Sequence, residues 1–389
     1  MKKVLIFSRL NGSGAPQRRV DNLLQLLSFS NFEAYVVRFE KAERNSIIRV
    51  NDRLTHISLG DIDSLNFFQK ISMLNFSPKF ARKWIDNVNP DLVIIYSTIN
   101  FRTARYIKKY CKAKKIKLVF DVVEYRKLNS SFSLRRFFSY NLHNFVINNL
   151  IINKSDNVIV ISKFLESFFT NKGLKNLFYY PITFDVTSMP HLEKKDYKDK
   201  ITFLYAGSPG GKRDLINEIL VAFSQLTTFE KSKIFLFVCG IEKTGLIREG
   251  VSKHTLDDIN EFSKIMGRLN KQELYELFNN IDFTLLLKDE TKIYSVAGFP
   301  TKMTESFSLG IPMLANYSGD ISIYLKDSIN GFVSPSHSAK DYVEVIRKAI
   351  NSVELHQHES LSKNAYDTAL NKLNTFSFIL PFGNFIDSI

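Results

Sequence analysis

The sequence predicts an α/β protein built from two doubly wound domains. Three observations carry that reading. The chain has 389 residues, beyond the roughly 250–300 at which a single hydrophobic core stops growing. Short apolar runs rich in Val, Ile and Phe recur along it, separated by helix-length segments, which is how parallel strands read when both faces of their sheet are covered. Between the two sets of runs lies Tyr179 to Lys200, with Pro181, Pro190 and a charge cluster, the composition of an interdomain linker.

In order, the runs predicted as strands are KVLIF at Lys3, EAYVVRF at Glu33, DLVIIYS at Asp91, KLVFDVV at Lys117 and NVIVIS at Asn157. After the linker come ITFLYAG at Ile201, IFLFVCG at Ile234, DFTLLL at Asp282 and IPMLAN at Ile311. The expected division is residues 1–185, a linker over 186–200, and a second domain over 201–370. The apolar, aromatic segment 371–389 either packs back on the first domain or completes a local core. The start, with Lys2 and Lys3 before a short apolar run that ends at Arg9, resembles a signal peptide only superficially. Its apolar part is shorter than the roughly 7–15 residues of a secretory segment, so it reads as a first buried strand.

Composition narrows the function classes. With 44% hydrophobic residues, 34 Phe and 16 Tyr the chain is globular, and no apolar run approaches the roughly 20 residues of a spanning helix. Two cysteines, Cys111 and Cys239, match no disulfide or metal spacing, so a reducing, cytoplasmic setting is expected. The net charge of +14 is unevenly placed: residues 1–185 hold 30 Lys and Arg against 14 Asp and Glu, and residues 186–389 hold 23 against 25. The first half therefore presents its charge to solvent alone or to something anionic, such as nucleic acid, a phospholipid surface or a phosphorylated substrate.

Ligands of open parallel sheets bind where strands end at their carboxyl edge, and three strand-to-helix loops there have candidate binding chemistry. In FSRLNGSGAPQRR, Gly12 and Gly14 permit close backbone approach, Pro16 suits a first helical turn, and Arg18 and Arg19 follow, an arrangement fit for a phosphate or sugar. In YAGSPGGKRD, Gly207, Ser208, Gly210 and Gly211 precede Lys212 and Arg213. That is an anion cradle, yet Asp214 breaks the order of a nucleotide-triphosphate loop, so a diphosphate bound without metal fits better. In VAGFPTKMTESFSLGIPMLANYSGD, Gly298, Phe299, Pro300, Thr301, Lys302 and Met303 open a helix whose first amides face an anion. Glu305 lies one turn on, where its carboxylate would either accept two hydrogen bonds from a vicinal diol such as ribose or cap its own helix.

With these residues in place, the second half resembles the nucleotide-binding domain of family-four retaining glycosyltransferases. The resemblance runs through YAGSPGGKRDL, IMGRLNKQELYELFNNIDFTLLL and GFPTKMTESFSLGIPMLANYSGDISIYLKDSINGFV, and its wording is most similar to members that assemble bacterial surface polysaccharides. It implies two Rossmann-like domains facing across a cleft, the GT-B fold, with the donor in the second domain. It further implies that Glu305 binds the nucleotide ribose, that Lys212 and Arg213 neutralise the donor diphosphate, and that Arg268, beside Gly267, adjoins the base. The backbone from Gly298 to Met303 would lie against sugar and phosphates. The implied reaction moves a sugar from a nucleoside-diphosphate sugar, UDP favoured over GDP, to a saccharide or lipid-linked acceptor hydroxyl with retention and without cofactor or metal. Two departures stand out. Ala297 occupies the place of the family's first Glu, and Val123 that of a frequent His, which leaves Asp121 or Glu124 either to hold sugar hydroxyls or to serve as an edge-of-strand carboxylate and a helix cap.

Rival readings rest on other residues. Aromatics interleave with cations in KFARKW at Lys79 and in YRKLNSSFSLRRFF at Tyr125, a pattern that stacks bases and contacts phosphates in nucleic-acid-binding proteins. The same charge suits peripheral docking on an anionic membrane surface, the partner expected here rather than nucleic acid. A catalytically degenerate nucleotide-sugar-binding subunit is the third reading, given Ala297 and Val123. Asp61 and Asp63 carry the spelling of a metal-binding pair, as do His356 and His358, but a surface loop and a solvated helix face explain them better.

Overall fold

The computed structural model describes residues 1–10, 14–64, 77–97, 99–127, 140–189, 200–211 and 213–389. The described residues divide into two compact units, the first comprising Met1–Thr183 with Thr375–Ile389 and the second Phe184–Asn374.

The first unit holds an eight-stranded sheet in the order β3-β4-β2-β1-β5-β6-β7-β8. Its strands are β1 (Lys2–Phe7), β2 (Phe32–Arg38), β3 (Ile47–Asn51), β4 (Leu54–Ser58), β5 (Leu92–Tyr96), β6 (Lys117–Val122), β7 (Asn157–Val160) and β8 (Asn176–Tyr179). All pairs are parallel except β3 with β4. The central strand β5, LVIIY, is buried throughout, as a strand covered by helices on both faces must be. Edge strand β3 has only one half-buried residue among four exposed ones. In IIRVN the apolar Ile47, Ile48 and Val50 are broken by Arg49 and followed by Asn51, which is not the continuous apolar run of a covered strand.

Helix Pro78–Val88 shows how one of these segments is decided locally. Ser77 accepts a hydrogen bond from the Phe80 amide, Pro78 stands in the first turn, and Asn89 closes the helix in the left-handed region at φ 48°, all favoured terminal chemistry. Phe80, Ala81, Trp84, Ile85 and Val88 then fall on one buried face. The two rings of KFARKW are therefore core, and only the cations Lys79, Arg82 and Lys83 face solvent. Base stacking by Phe80 and Trp84 is excluded by their burial. Of the second basic-aromatic stretch, residues 128–138 lie outside the described residues, while Tyr125 packs on Phe164 and Phe168.

The C-terminal helix Ile379–Ser388 belongs to the first unit. Phe382 and Phe385 pack on Phe178 of β8 with ring centroids 5.7 and 5.4 Å apart, and Ile386 joins the same core. Such aromatic pairs add about 0.5–1.5 kcal/mol each beyond their area burial.

The second unit holds a six-stranded sheet, all parallel, in the order β11-β10-β9-β12-β13-β14. These are β9 (Ile201–Ala206), β10 (Ile234–Cys239), β11 (Ser263–Gly267), β12 (Phe283–Leu285), β13 (Met313–Asn316) and β14 (Gly331–Ser334). Numbered within the unit this is 3-2-1-4-5-6, the doubly wound order whose crevice opens where the order reverses, between β9 and β12. Phe203, Phe223 and Phe283 fill the core beside that point, with centroids 5.4 and 5.5 Å from Phe203. Both sheets are thus Rossmann-like.

Candidate functional site

The loops after β9, β10 and β11 meet through glycine backbones. The Gly207 amide donates to the Cys239 carbonyl at 3.0 Å and the Gly240 amide to the Gly267 carbonyl at 2.5 Å. Gly240 has φ +91°, and a Cβ there would stand 2.6 Å from the Gly207 carbonyl carbon. No side chain fits a gap of that width. Beside this junction a cavity of about 310 Å³ is lined by Gly240, Glu242, Thr244, Arg248 and Arg268 among others. The sequence-predicted Arg268 is exposed at its mouth.

Asp214 organises the loop after β9. Its Oδ2 accepts from the Tyr205 hydroxyl at 3.1 Å and from the Lys302 ammonium at 2.5 Å, and its Oδ1 from the Lys288 ammonium at 3.0 Å. One carboxylate, only 7% exposed, thereby joins β9, the segment after β12 and the helix Thr301–Ser308. Burial alone would raise the Asp214 carboxyl, but Lys302 and Lys288 outweigh it and hold its pKa below the ordinary value. The Tyr205 phenol is pushed well above its ordinary value by burial, with Asp214 adding to the effect. The network continues along the carboxyl edge. Asn316 accepts from the Lys288 amide and donates to Lys288 O and Glu290, and Glu290 meets His337 Nδ1 at 2.8 Å.

Helix Thr301–Ser308 begins at Pro300 with no side-chain cap and no acidic residue in its first turn. That leaves the positive end of the helix facing the loop. Met303 and Phe307, one turn apart, are fully buried, which turns Lys302 and Glu305 to the other side three residues apart. Glu305 is half-buried, and its charge acts on Lys302. Gly298 stands ahead of the helix, where a Cβ would come 3.1 Å from the Tyr294 carbonyl, and Phe299 packs edge-on against Tyr324.

The remaining predicted residues are placed as follows. Gly207, Ser208 and Gly210 form the turn, with the Ser208 hydroxyl accepting from the Gly210 amide at 3.4 Å. Arg213 is exposed and its amide donates to Pro209 O. Lys212 and Gly12 lie outside the described residues. Gly14 opens the helix Gly14–Phe29 at φ +76°, and Arg18 is half-buried on its second turn. Arg19, expected beside the loop, points inward instead. Its guanidinium grips both Asp121 oxygens at 3.1 and 2.7 Å and donates to the Tyr180 and Pro181 carbonyls. Asp121 has no exposed surface, so it holds the core rather than a sugar hydroxyl. Glu124 keeps 28% of its side-chain surface and pairs with Arg126 at 3.0 Å.

Tyr205, Lys288, Asn316, Glu290 and His337 are not singled out by the sequence, and Asp214 enters there only as the residue that breaks a nucleotide-triphosphate loop. A signal existed for two of them: Asp214 follows Lys212 and Arg213 directly, and Lys288 closes DFTLLL at the same edge of the sheet. Asp289, Glu290 and His337 offer ligand atoms within 4.8 Å of one another, with types that suit a divalent cation. Asp289 already accepts from the Thr291 amide and hydroxyl, and Glu290 from Asn316. The sequence-level metal spellings do not assemble: Asp61 accepts from the Asp63 amide in a turn, while buried His358 bonds Asp282 O and His356 is exposed.

This edge, with glycine turns, helix end and paired lysines over a doubly wound sheet, is where comparison with known proteins bears. Residues 191–368 match glycosyl transferases group 1. The group 1 domain thus covers nearly the whole second unit and every loop described above in it. No curated protein matches the chain in sequence. Among solved structures, sucrose-phosphate synthase of Thermosynechococcus elongatus superposes with a TM-score of 0.75 at 12% identity, covering 100% of this chain and 99% of that one. HepE of Anabaena, solved with UDP and glucose, gives 0.67 at 14%, covering all of both chains. The lipopolysaccharide outer core galactosyltransferase WaaB gives 0.64 at 15%, covering 100% and 99%. The fold that carries the group 1 domain is GT-B.

Proposed function

We propose that the protein is a retaining glycosyltransferase that takes a nucleoside-diphosphate sugar, UDP favoured, and acts on a saccharide or lipid-linked acceptor in surface polysaccharide or glycolipid assembly. The observation that carries this is the clustering of glycine turns, a helix start, Arg213, Lys288 and Lys302 at the switch point of a group 1 domain, with Glu305 beside them. Such a site binds a diphosphate through backbone donors and fixed cations. The structures of HepE with UDP favour uracil.

In the reaction the bond from the sugar's anomeric carbon to the phosphate oxygen breaks and one to the acceptor oxygen forms on the same face. The acceptor proton goes to the departing diphosphate. The protein supplies position and charge stabilisation, with Lys212 and Arg213 assigned to the leaving group and Glu305 to the ribose. No helix of the described residues is long and apolar enough to cross a membrane. The strongly basic first unit suits an anionic lipid surface, on which vesicle flotation should depend on phosphatidylglycerol.

Thermal unfolding tests the donor assignment. The full chain is heated with UDP, GDP, CMP and their sugars, without metal, and the series is repeated on Glu305→Ala. At 100 times its dissociation constant a ligand adds about 2.7 kcal/mol, and we expect that shift with UDP and its loss in the variant. A shift that appears only with added Mg²⁺ would move the counter-charge to Asp289, Glu290 and His337. Tight, salt-sensitive binding of RNA or DNA with no response to any nucleotide would overturn the reading.

A further inference from the structure

We propose that Asp214 is a positioning residue that holds the Lys302 ammonium beneath the glycine turn of β9 as a further cation for the donor diphosphate. This deepens the donor-site reading above and rests on it.

Lys302 belongs to the first turn of a helix, where a lysine normally extends into water. Here the side chain is only 23% exposed. Its ammonium lies 3.9 Å from the Tyr205 ring centroid and bonds Asp214, and its stem crosses Gly207 so closely that a Cβ there would stand 2.7 Å from the lysine Cε. Glycine at 207 and lysine at 302 thus share one space. A long side chain is drawn across the floor of the anion loop at a cost in desolvation and rotamer freedom, which purely structural packing would meet better with an apolar residue.

The charge count at Asp214 points the same way. Its single negative charge faces two ammoniums, Lys302 and Lys288, while Glu305 adds a weaker negative field at Lys302. A third donor, the Tyr205 hydroxyl, reaches the same oxygen as Lys302. When a diphosphate draws Lys302 upward, Asp214 keeps Lys288 and Tyr205 and is not stranded as a bare buried charge. Lys302 is released to the ligand without breaking the core. The groups that set its titration are Asp214, Lys288 and Glu305, with the Tyr205 ring against it. Burial lowers its pKa, Asp214 opposes that most strongly, Lys288 adds to the lowering and Glu305 opposes it.

The test measures UDP and UMP binding to the full chain by calorimetry from pH 7 upward, for wild type, Lys302→Met, Lys302→Arg and Asp214→Asn. Lys302→Met should weaken UDP by about tenfold or more, the value of one charge-assisted hydrogen bond, and UMP by less than about threefold. Lys302→Arg should recover part of the loss. UDP affinity in the wild type should fall as pH rises through the Lys302 pKa. In Asp214→Asn that fall should begin at lower pH, because the group that raises the pKa is gone, a displacement that loss of packing alone would not produce. Unchanged UDP binding in a folded Lys302→Met, or an unmoved alkaline limb in Asp214→Asn, overturns the assignment while the donor-site reading stands. A wild type that binds no nucleotide overturns both.

Discussion

Replacing Arg19 by Met is expected to destabilise the first unit by about 3–5 kcal/mol, because it leaves the carboxylate of Asp121 buried without its counter-ion. The pair has 1% and 0% side-chain exposure, and the same guanidinium also satisfies the Tyr180 and Pro181 carbonyls and lies 4.6 Å over the Tyr180 ring. Asp121→Leu alone should be comparably costly, since it strands the cation. The double variant Arg19→Met/Asp121→Leu should be more stable than either single variant, though the two orphaned carbonyls keep it below wild type. Urea unfolding of all four proteins closes the cycle. Additive losses would show that the pair is not the unit of stability. Nucleotide binding by the second unit should survive each change, and a loss of activity alone, with stability intact, would return Asp121 to the reacting groups.

Gly240→Ala is expected to remove donor binding and to lower the unfolding temperature together. Its φ of +91° disfavours any side chain, and the new methyl would stand 2.6 Å from the Gly207 carbonyl carbon. The obstacle is backbone, with no rotamer to yield, so the turn after β9 must shift. Strain of this kind costs about 3 kcal/mol, or roughly 6–12 °C for a unit of this size. Gly250→Ala is the control: at φ +100° it shares the backbone strain, but nothing lies within 4 Å of the new methyl. It should lose the smaller amount and keep the nucleotide response. Equal behaviour of the two would show that the junction of the β9 and β10 loops has no part in the site.

How much of this was legible in the sequence depended on how each residue is buried. Nine strands announced themselves as apolar runs because they lie inside their sheets, β5 and β9 most plainly. Strands β3, β4, β8, β11 and β14 did not; in β3 and β11 edge positions such as Arg49 and Lys264 are exposed and demand no apolar spelling. The glycine turn at Gly207 and the helix start at Pro300 were readable because backbone geometry restricts which residues fit there. Direction of side chains was not. Arg18 and Arg19 are neighbours in one cationic pair, yet helical geometry sends Arg19 into the core against Asp121. The rings of KFARKW have the spelling of base-stacking residues, but the helical repeat puts Phe80 and Trp84 on the buried face.

The sequence by itself determined two doubly wound sheets and the glycine turns at their carboxyl edges, because hydrophobic periodicity and glycine chemistry are local; the group 1 match of residues 191–368 rests instead on the serial wording of the second half. Only the tertiary structure decided that Asp214, Lys288 and Lys302 are one cluster and that Asp121 belongs to the core. Those residues are distant in the chain, and what each can do depends on the charge it is buried against, which folding alone brings within reach.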